Sequence, residues 1–240
     1  MTNEQYIELA ELAGGFIHEI KNHLSTLKLN LQLLAEEFAD PQSQRERRAL
    51  ERTRRLETEC EHLLDVANDF LRFARLKDLE LRPGDLGEVL AELIDFFGPM
   101  ARAHNIDIKT FLPGDLPLVP MDRELFKQAL LNLMLNAQQA MLQGGELTIQ
   151  ATREPNGVVL SLIDTGVGMS PEVLAKAFRP FFSTRSGGSG LGLATTRKIV
   201  QAHHGDITAE SAVGVGTRFT LRLPAAPPLA LPGPREGAKG

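Results

Sequence analysis

At 240 residues, with 42% apolar and 24% charged side chains, the chain can bury one large core or two modest ones. A formal charge of −5 argues against a nucleic-acid binder, and no run of about 18 apolar residues offers a membrane span. MTNEQYIELAELAG lacks the basic-then-apolar order of a secretory signal, and the single Cys60 cannot form an internal disulfide, so a cytoplasmic protein is expected.

Residues 4–39 carry no proline, and Ala10, Ala13, Ile17, Ile20, Leu24, Leu27, Leu31, Leu34 and Phe38 step by three and four along one helix face. That is a heptad seam. Asp40-Pro41 breaks the helix, because the residue before proline is pushed out of the helical region. A second helix is predicted over 42–77, with Leu56, Cys60, Leu63, Ala67, Phe70 and Ala74 on a similar seam and a solvated face through RERRALERTRRLETE. Cys60 on that seam reads as a small buried hydrophobe. Two helices of this length reach roughly 54 Å, and a lone hairpin cannot bury both sides of its seams. A homodimer forming a four-helix bundle resolves this.

Beyond Arg82-Pro83-Gly84 the pattern changes. An amphipathic helix is predicted over 85–103, a strand over Asp107–Leu112 and another helix over 122–142. GELTIQATRE and VVLSLID alternate apolar and polar residues around a Pro-Asn-Gly turn, a hairpin pattern. A helix over 190–203 and a second hairpin in DITAESAVGVGTRFTLRLP follow, then a Pro/Gly-rich tail expected to be disordered. The organisation predicted is a helical hairpin over 1–79, an α+β domain over 80–224 and a tail over 225–240.

HEIKNH in FIHEIKNHL invites a zinc reading, but His18 and His23 are five residues apart, roughly 140° around a helix, and cannot meet at one ion. His18 lies one residue past the seam position Ile17, at the edge of the core, with Glu19 adjacent and Asn22 one turn later. A neutral imidazole held by a carboxylate is a nucleophile; a solvated surface histidine is the plain alternative. In NLMLNAQQA, Asn132 and Asn136 stand four apart on a Leu-rich helix and suit an oxygen-seeking Mg²⁺ with its phosphates, or are simply surface amides. DTGVGM places Asp164 at a strand end before Gly166 and Gly168, where a carboxylate can accept from an exocyclic amine, or marks a turn. FRPFFSTRSGGSGLGLATTRKIV sets Gly187, Gly188, Gly190 and Gly192 ahead of a helix, but forms neither a dinucleotide fingerprint nor a P-loop. Thr217 in GVGTRF faces solvent or a ligand.

In this order and spacing, FIHEIKNHL, NLMLNA, DTGVGM, FRPFFSTR and GGSGLGLA resemble the phospho-acceptor, N, first glycine, F and second glycine boxes of sensor histidine kinases, over about residues 12–224. NAQQAM and PFFSTR are most similar to nitrogen-regulation-type kinases. The resemblance implies a dimerisation and phosphotransfer hairpin, then an α/β-sandwich ATP-binding domain of the Bergerat type shared with gyrase, Hsp90 and MutL. It implies that His18 accepts the γ-phosphoryl group, that Glu19 orients and deprotonates the imidazole, and that Asn22 positions water for dephosphorylating a partner. Asn136 would hold Mg²⁺ with Asn132 assisting, Asp164 and Thr217 would meet adenine, and Gly166 and Gly168 would admit the base. Residues 183–192 would form a lid over the phosphates, including Thr184, Leu191 and the phosphate contact Arg185, with Gly188, Gly190 and Gly192 as hinges.

Four positions depart from the family pattern. His23 stands where proline is common, Gln138 and Gln139 replace a basic residue after the N box, and His204 replaces the first glycine of HGG. The function expected is an ATP-dependent protein-histidine autokinase acting on the Asp of a response-regulator receiver domain, and also its phosphatase. The alternative is a dimeric phosphotransfer scaffold with a degenerate ATPase domain. With 17 residues before His18, input is expected from an upstream sensory partner or from the N-terminal helix and dimer interface.

Overall fold

The structure, a computed structural model, describes residues 3–74, 79–185 and 188–227; within its helices, side chains are not described for 3–16, 18 and 72–74. Two compact units are present: Met1–Leu79 with Met169–Ile199, and Glu80–Gly168 with Val200–Gly240.

In the first unit, α1 (Asn3–Glu37) and α2 (Gln44–Ala74) pack as a hairpin. α1 ends just before the predicted break, and α2 starts from a cap in which the Glu46 N–H donates to Ser43 Oγ at 3.2 Å. The Glu46 carboxylate in turn accepts the Gln42 N–H at 2.7 Å, a variant of the capping box. Buried Cys60 donates through Sγ to the Leu24 carbonyl at 3.2 Å, and Lys28 pairs with Glu61 at 2.7 Å, fixing the register of the hairpin. The predicted seams divide. Leu31, Cys60 and Ala67 are buried, joined by Leu50 and Leu71 from outside the predicted seams, while Leu27, Leu34, Leu56 and Leu63 stay 51%, 39%, 57% and 50% exposed. The same unit holds the short helix α5 (Pro171–Leu174) and most of α6 (Gly192–Ala202). Phe181 stacks on Phe70 with centroids 6.3 Å apart, and Ser189 Oγ donates to Asp69 at 2.7 Å.

The second unit is a five-stranded mixed sheet of order β2-β4-β5-β7-β6: β2 (Ile106–Phe111), β4 (Gly145–Glu154), β5 (Gly157–Asp164), β7 (Gly216–Pro224) and β6 (Asp206–Ala212). Only β2 and β4 run parallel. Alternation sets the face: Leu147, Ile149 and Ala151 of β4, and Phe219, Leu221 and Leu223 of β7, point inward, whereas Arg218 and Arg222 point out. Helices α3 (Leu86–Ala103) and α4 (Arg123–Ala140) supply the other half of the core through Leu86, Leu90, Phe97, Phe126, Leu130 and Leu133, all fully buried.

The predicted helices, strands and hairpins match these elements within a few residues, and the predicted end of the second helix at 77 lies outside the described residues. The two-stranded ladder of β1 (Arg82–Gly84) with β3 (Val119–Met121) has no sequence signal, since it pairs Pro83 with Pro120 and neither can donate a ladder bond. Ala225 and Ala226 donate to the Asn156 and Leu118 carbonyls at 2.9 and 2.6 Å, so the chain is held just past β7. The rest of the expected tail, 228–240, lies outside the described residues. Among those described, no helix is long and apolar enough to cross a membrane.

Candidate functional site

The second unit builds one polar centre at the end of β5. Asp164 is 5% exposed, and its Oδ1 accepts the Gly166 N–H at 2.9 Å and the Thr217 N–H at 3.3 Å. A carboxylate can be buried when main-chain donors satisfy it, and here two fix its plane. The loop after it is pinned on both sides: Val167 N–H donates to the Ala140 carbonyl of α4 at 3.1 Å, and Gly214 N–H donates to the Val167 carbonyl at 2.8 Å.

The two glycines of DTGVGM are accounted for by the chain's own packing. A Cβ at Gly166 would meet Ala140 Cβ at 2.7 Å and its carbonyl at 2.8 Å. Gly168 has φ +67°, and a Cβ there would run into the Ala212 carbonyl oxygen. Thr217, predicted to face solvent or ligand, is buried, and Ser211 Oγ lies 2.9 Å from its hydroxyl.

Asn132 and Asn136 lie on α4, which ends at Ala140 against this loop. Asn136 is therefore about 6 Å along the axis from the loop contact and Asn132 about 12 Å. Asn136 Nδ2 donates to the Asn132 main-chain carbonyl at 2.8 Å, which turns Oδ1 away from its own helix backbone. That oxygen is a fitting ligand for a hard, hydrated cation such as Mg²⁺. The start of α4 is anchored by a residue with no place among the predicted site residues. His203 is fully buried, its Nε2 accepts the Asp122 N–H at 2.9 Å, and its ring lies 5.3 Å from that of Phe126. Asp122 in turn caps α4 by accepting the Leu125 N–H at 3.2 Å. His204 adopts φ +60°, which explains why a glycine suits that position.

The remaining predicted residues fall in the first unit. His18 lies in α1, and its side chain is outside the described residues; Glu19 and Asn22 are exposed on the same helix. α1 runs unbroken through His23. Thr184 and Arg185 are exposed, in a turn where Ser183 Oγ accepts the Arg185 N–H at 3.1 Å. Gly187 is outside the described residues. Gly188 closes back on Arg185 through a 3.4 Å hydrogen bond. Gly190 has φ +66° and lies so close to the Phe181–Phe182 peptide that a Cβ would sit 2.6 Å from it. Leu191 is fully buried and accepts the Thr195 N–H at 2.8 Å, and Gly192 opens α6 with open space where a Cβ would stand.

Ser211 is absent from the sequence-derived site residues. Its signal lay in its position six residues before Thr217, directly opposite it across a tight hairpin, which only the register reveals.

Comparison with known proteins bears on this arrangement. The family described as "Histidine kinase-, DNA gyrase B-, and HSP90-like ATPase" matches residues 121–227. The signal transduction histidine-protein kinase AtoS of Escherichia coli strain K12 is 33% identical over 228 residues, covering 93% of this chain and 36% of AtoS. The sensor histidine kinase ZraS of Escherichia coli O157:H7 is 34% identical, covering 92% of this chain and 47% of ZraS. The chain thus spans less than half the length of these curated relatives. Among solved structures, full-length ShkA in complex with AMPPNP matches 94% of this chain and 47% of its own, with TM-score 0.69 and 28% identity. The nucleotide-free catalytic domain of the histidine kinase ThkA matches 61% of this chain and 97% of its own, with TM-score 0.57 and 31% identity.

Proposed function

The chain belongs to the sensor histidine kinases, and from that premise we propose that it is an ATP-dependent protein-histidine autokinase of a two-component system. The observation that carries the reading is Asp164, a buried carboxylate at a strand end held by two main-chain N–H groups and built to accept from an amine-bearing base. Thr217 beside it and the asparagine pair on α4 extend the site toward the sugar and phosphates. Mg²⁺, when bound, would neutralise the phosphates, with Asn136 Oδ1 among its ligands.

In the proposed reaction an unprotonated ring nitrogen of His18 attacks the γ-phosphorus in line, the bond to the β–γ bridging oxygen breaks, and ADP leaves with that electron pair. Glu19 holds the proton on the other ring nitrogen before transfer and accepts it as phosphohistidine forms. Arg185 would meet the phosphate oxygens from the lid, Thr184 and Leu191 would shape that lid, and Gly188, Gly190 and Gly192 would serve as its hinges. The phosphoryl group then passes to an aspartate of a response-regulator receiver domain, and Asn22 would orient the water that later removes it. The proposal places the chain in the cytoplasm as a homodimer. The open leucines of the hairpin support the dimer, because a second copy would bury them in a four-helix bundle.

Incubation with γ-labelled ATP and Mg²⁺ tests the reading. Acid-labile label on the wild-type protein that is lost in His18→Gln is expected. No label on the wild-type chain despite measurable ATP binding would overturn autokinase activity.

A further inference from the structure

Three side chains lie in one row across three strands at the end of the sheet. Asp164 pairs with Thr217 in the β5–β7 register, and Thr217 pairs with Ser211 in the β7–β6 register. Ser211 Oγ donates to the Gly216 carbonyl at 2.8 Å and lies 2.9 Å from Thr217 Oγ1. A serine hydroxyl has one proton. With that proton on Gly216, the bond between the two hydroxyls must be donated by Thr217. Thr217 Oγ1 then has only lone pairs to offer any other group, and beside it stands Asp164, whose carboxylate is acceptor-only when ionised.

We infer that Ser211 is a specificity-determining positioning residue, which fixes the Thr217 hydroxyl as an acceptor and so makes the base edge of the site select an amino-purine over a 6-oxo-purine. The inference rests on the proposed role of Asp164 and Thr217 as the base-reading pair. Adenine presents two N–H donors at its 6-position, and either acceptor can take one, directly or through a water. Hypoxanthine and guanine present a carbonyl oxygen there, so two acceptors would face a third. A site whose polar groups are left unpaired by the wrong ligand rejects it strongly, and Ser211 adds a second such group to the one Asp164 supplies. Without Ser211 the Thr217 hydroxyl can rotate and donate to the 6-oxo group, which removes half of the rejection. Ser211 touches Thr217 and the Gly216 peptide rather than the base, and Gly216 has φ +126°, so the bond also holds the turn that presents Thr217.

The experiment is calorimetric titration of the full chain with ATP and with ITP, in the wild type and in Ser211→Ala, Ser211→Thr, Thr217→Val and Asp164→Asn. The ATP-to-ITP affinity ratio is expected to fall about tenfold in Ser211→Ala, the worth of one neutral hydrogen bond, and to recover in Ser211→Thr. A ratio unchanged in Ser211→Ala while Asp164→Asn abolishes preference for ATP overturns the inference and leaves the site reading standing. Should Ser211→Ala misfold, Ser211→Thr at the wild-type ratio with Thr217→Val at a lowered ratio supports the inference, and Thr217→Val at the wild-type ratio overturns it. A wild-type ratio in Asp164→Asn overturns the base-reading pair itself, and the inference falls with it.

Discussion

Gly168 and Gly214 both adopt positive φ, +67° and +75°, yet alanine should be tolerated very differently at the two positions. At Gly214 a Cβ would meet nothing within 4 Å, so Gly214→Ala costs only the left-handed backbone, about 1–2 kcal/mol. At Gly168 the same backbone cost applies, and the Cβ also strikes the Ala212 carbonyl oxygen and comes within 3.2 Å of the Gly216 carbonyl oxygen. Those carbonyls belong to the β6–β7 ladder, where Ala212 pairs with Gly216, and they cannot yield without opening the hairpin. Overpacking of this kind adds about 1–3 kcal/mol. For a chain of this size each kcal/mol lowers Tm by about 2–4 °C, so Gly168→Ala should melt about 2–12 °C below Gly214→Ala. Circular dichroism at 222 nm is the suitable probe, because the chain has no tryptophan and one tyrosine. ATP affinity measured on the same samples should drop for Gly168→Ala, since the displaced loop carries Gly166 and, through it, one of the two N–H groups that hold Asp164. Equal melting temperatures for the two variants would refute the crowding argument.

Other consequences follow from the same geometry. Asn136→Ala should abolish the Mg²⁺-dependent part of nucleotide affinity, read by titrating ATP with and without EDTA; an unchanged Mg²⁺ dependence removes Asn136 as a ligand. Leu34→Asp with Leu63→Asp places charges on the open side of the hairpin and, if the proposed dimer forms there, shifts the mass measured by light scattering to that of a monomer while leaving helicity in place; an unchanged mass removes these leucines from the interface. The pH response of the hairpin should carry the mark of its cap. The Gln42 N–H and the Ser43 hydroxyl hold the Glu46 carboxyl below its usual range. Because the folded value is the lower one, the stabilisation is complete above the ordinary carboxylate pKa and disappears as pH falls through the folded value. The advantage of wild type over Glu46→Gln in thermal melts should therefore be constant near neutrality and close on acidification below about pH 4.

Much of the fold was legible because it is written in local periodicity. The seam from Ala10 to Phe38, the Asp40-Pro41 break and the Pro-Asn-Gly hairpin each follow from spacing within one element. The division of that seam did not. Leu27 and Leu34 sit on the same heptad pattern as Leu31, and only the packing of α1 against α2 decides which stay open. Ser43 with Glu46 is a capping signal that the sequence does carry, hidden by the charge density of the Arg-rich run that follows. The β1–β3 ladder was illegible for a physical reason: a pair centred on two prolines violates strand propensity and exists because the chain on either side is already placed.

The polar centre was legible as residue types and illegible as a circuit. Asp164 before Gly-x-Gly announces a carboxylate at a strand end, but nothing in DTGVGM reveals that one of its donors comes from Thr217, 53 residues later. Nor does GVGTRF reveal that Thr217 is itself bonded to Ser211. Those links depend on strand order, since β7 lies between β5 and β6 and so sets Thr217 between Asp164 and Ser211. The consequence is directional. A substitution at Thr217 keeps the main-chain N–H on Asp164 but removes the hydroxyl that partners Ser211 and that the proposed base-reading pair uses, whereas Ser211→Ala leaves that hydroxyl in place, frees its proton and releases the Gly216 carbonyl. Affinity and base selectivity should therefore separate at Ser211 and move together at Thr217.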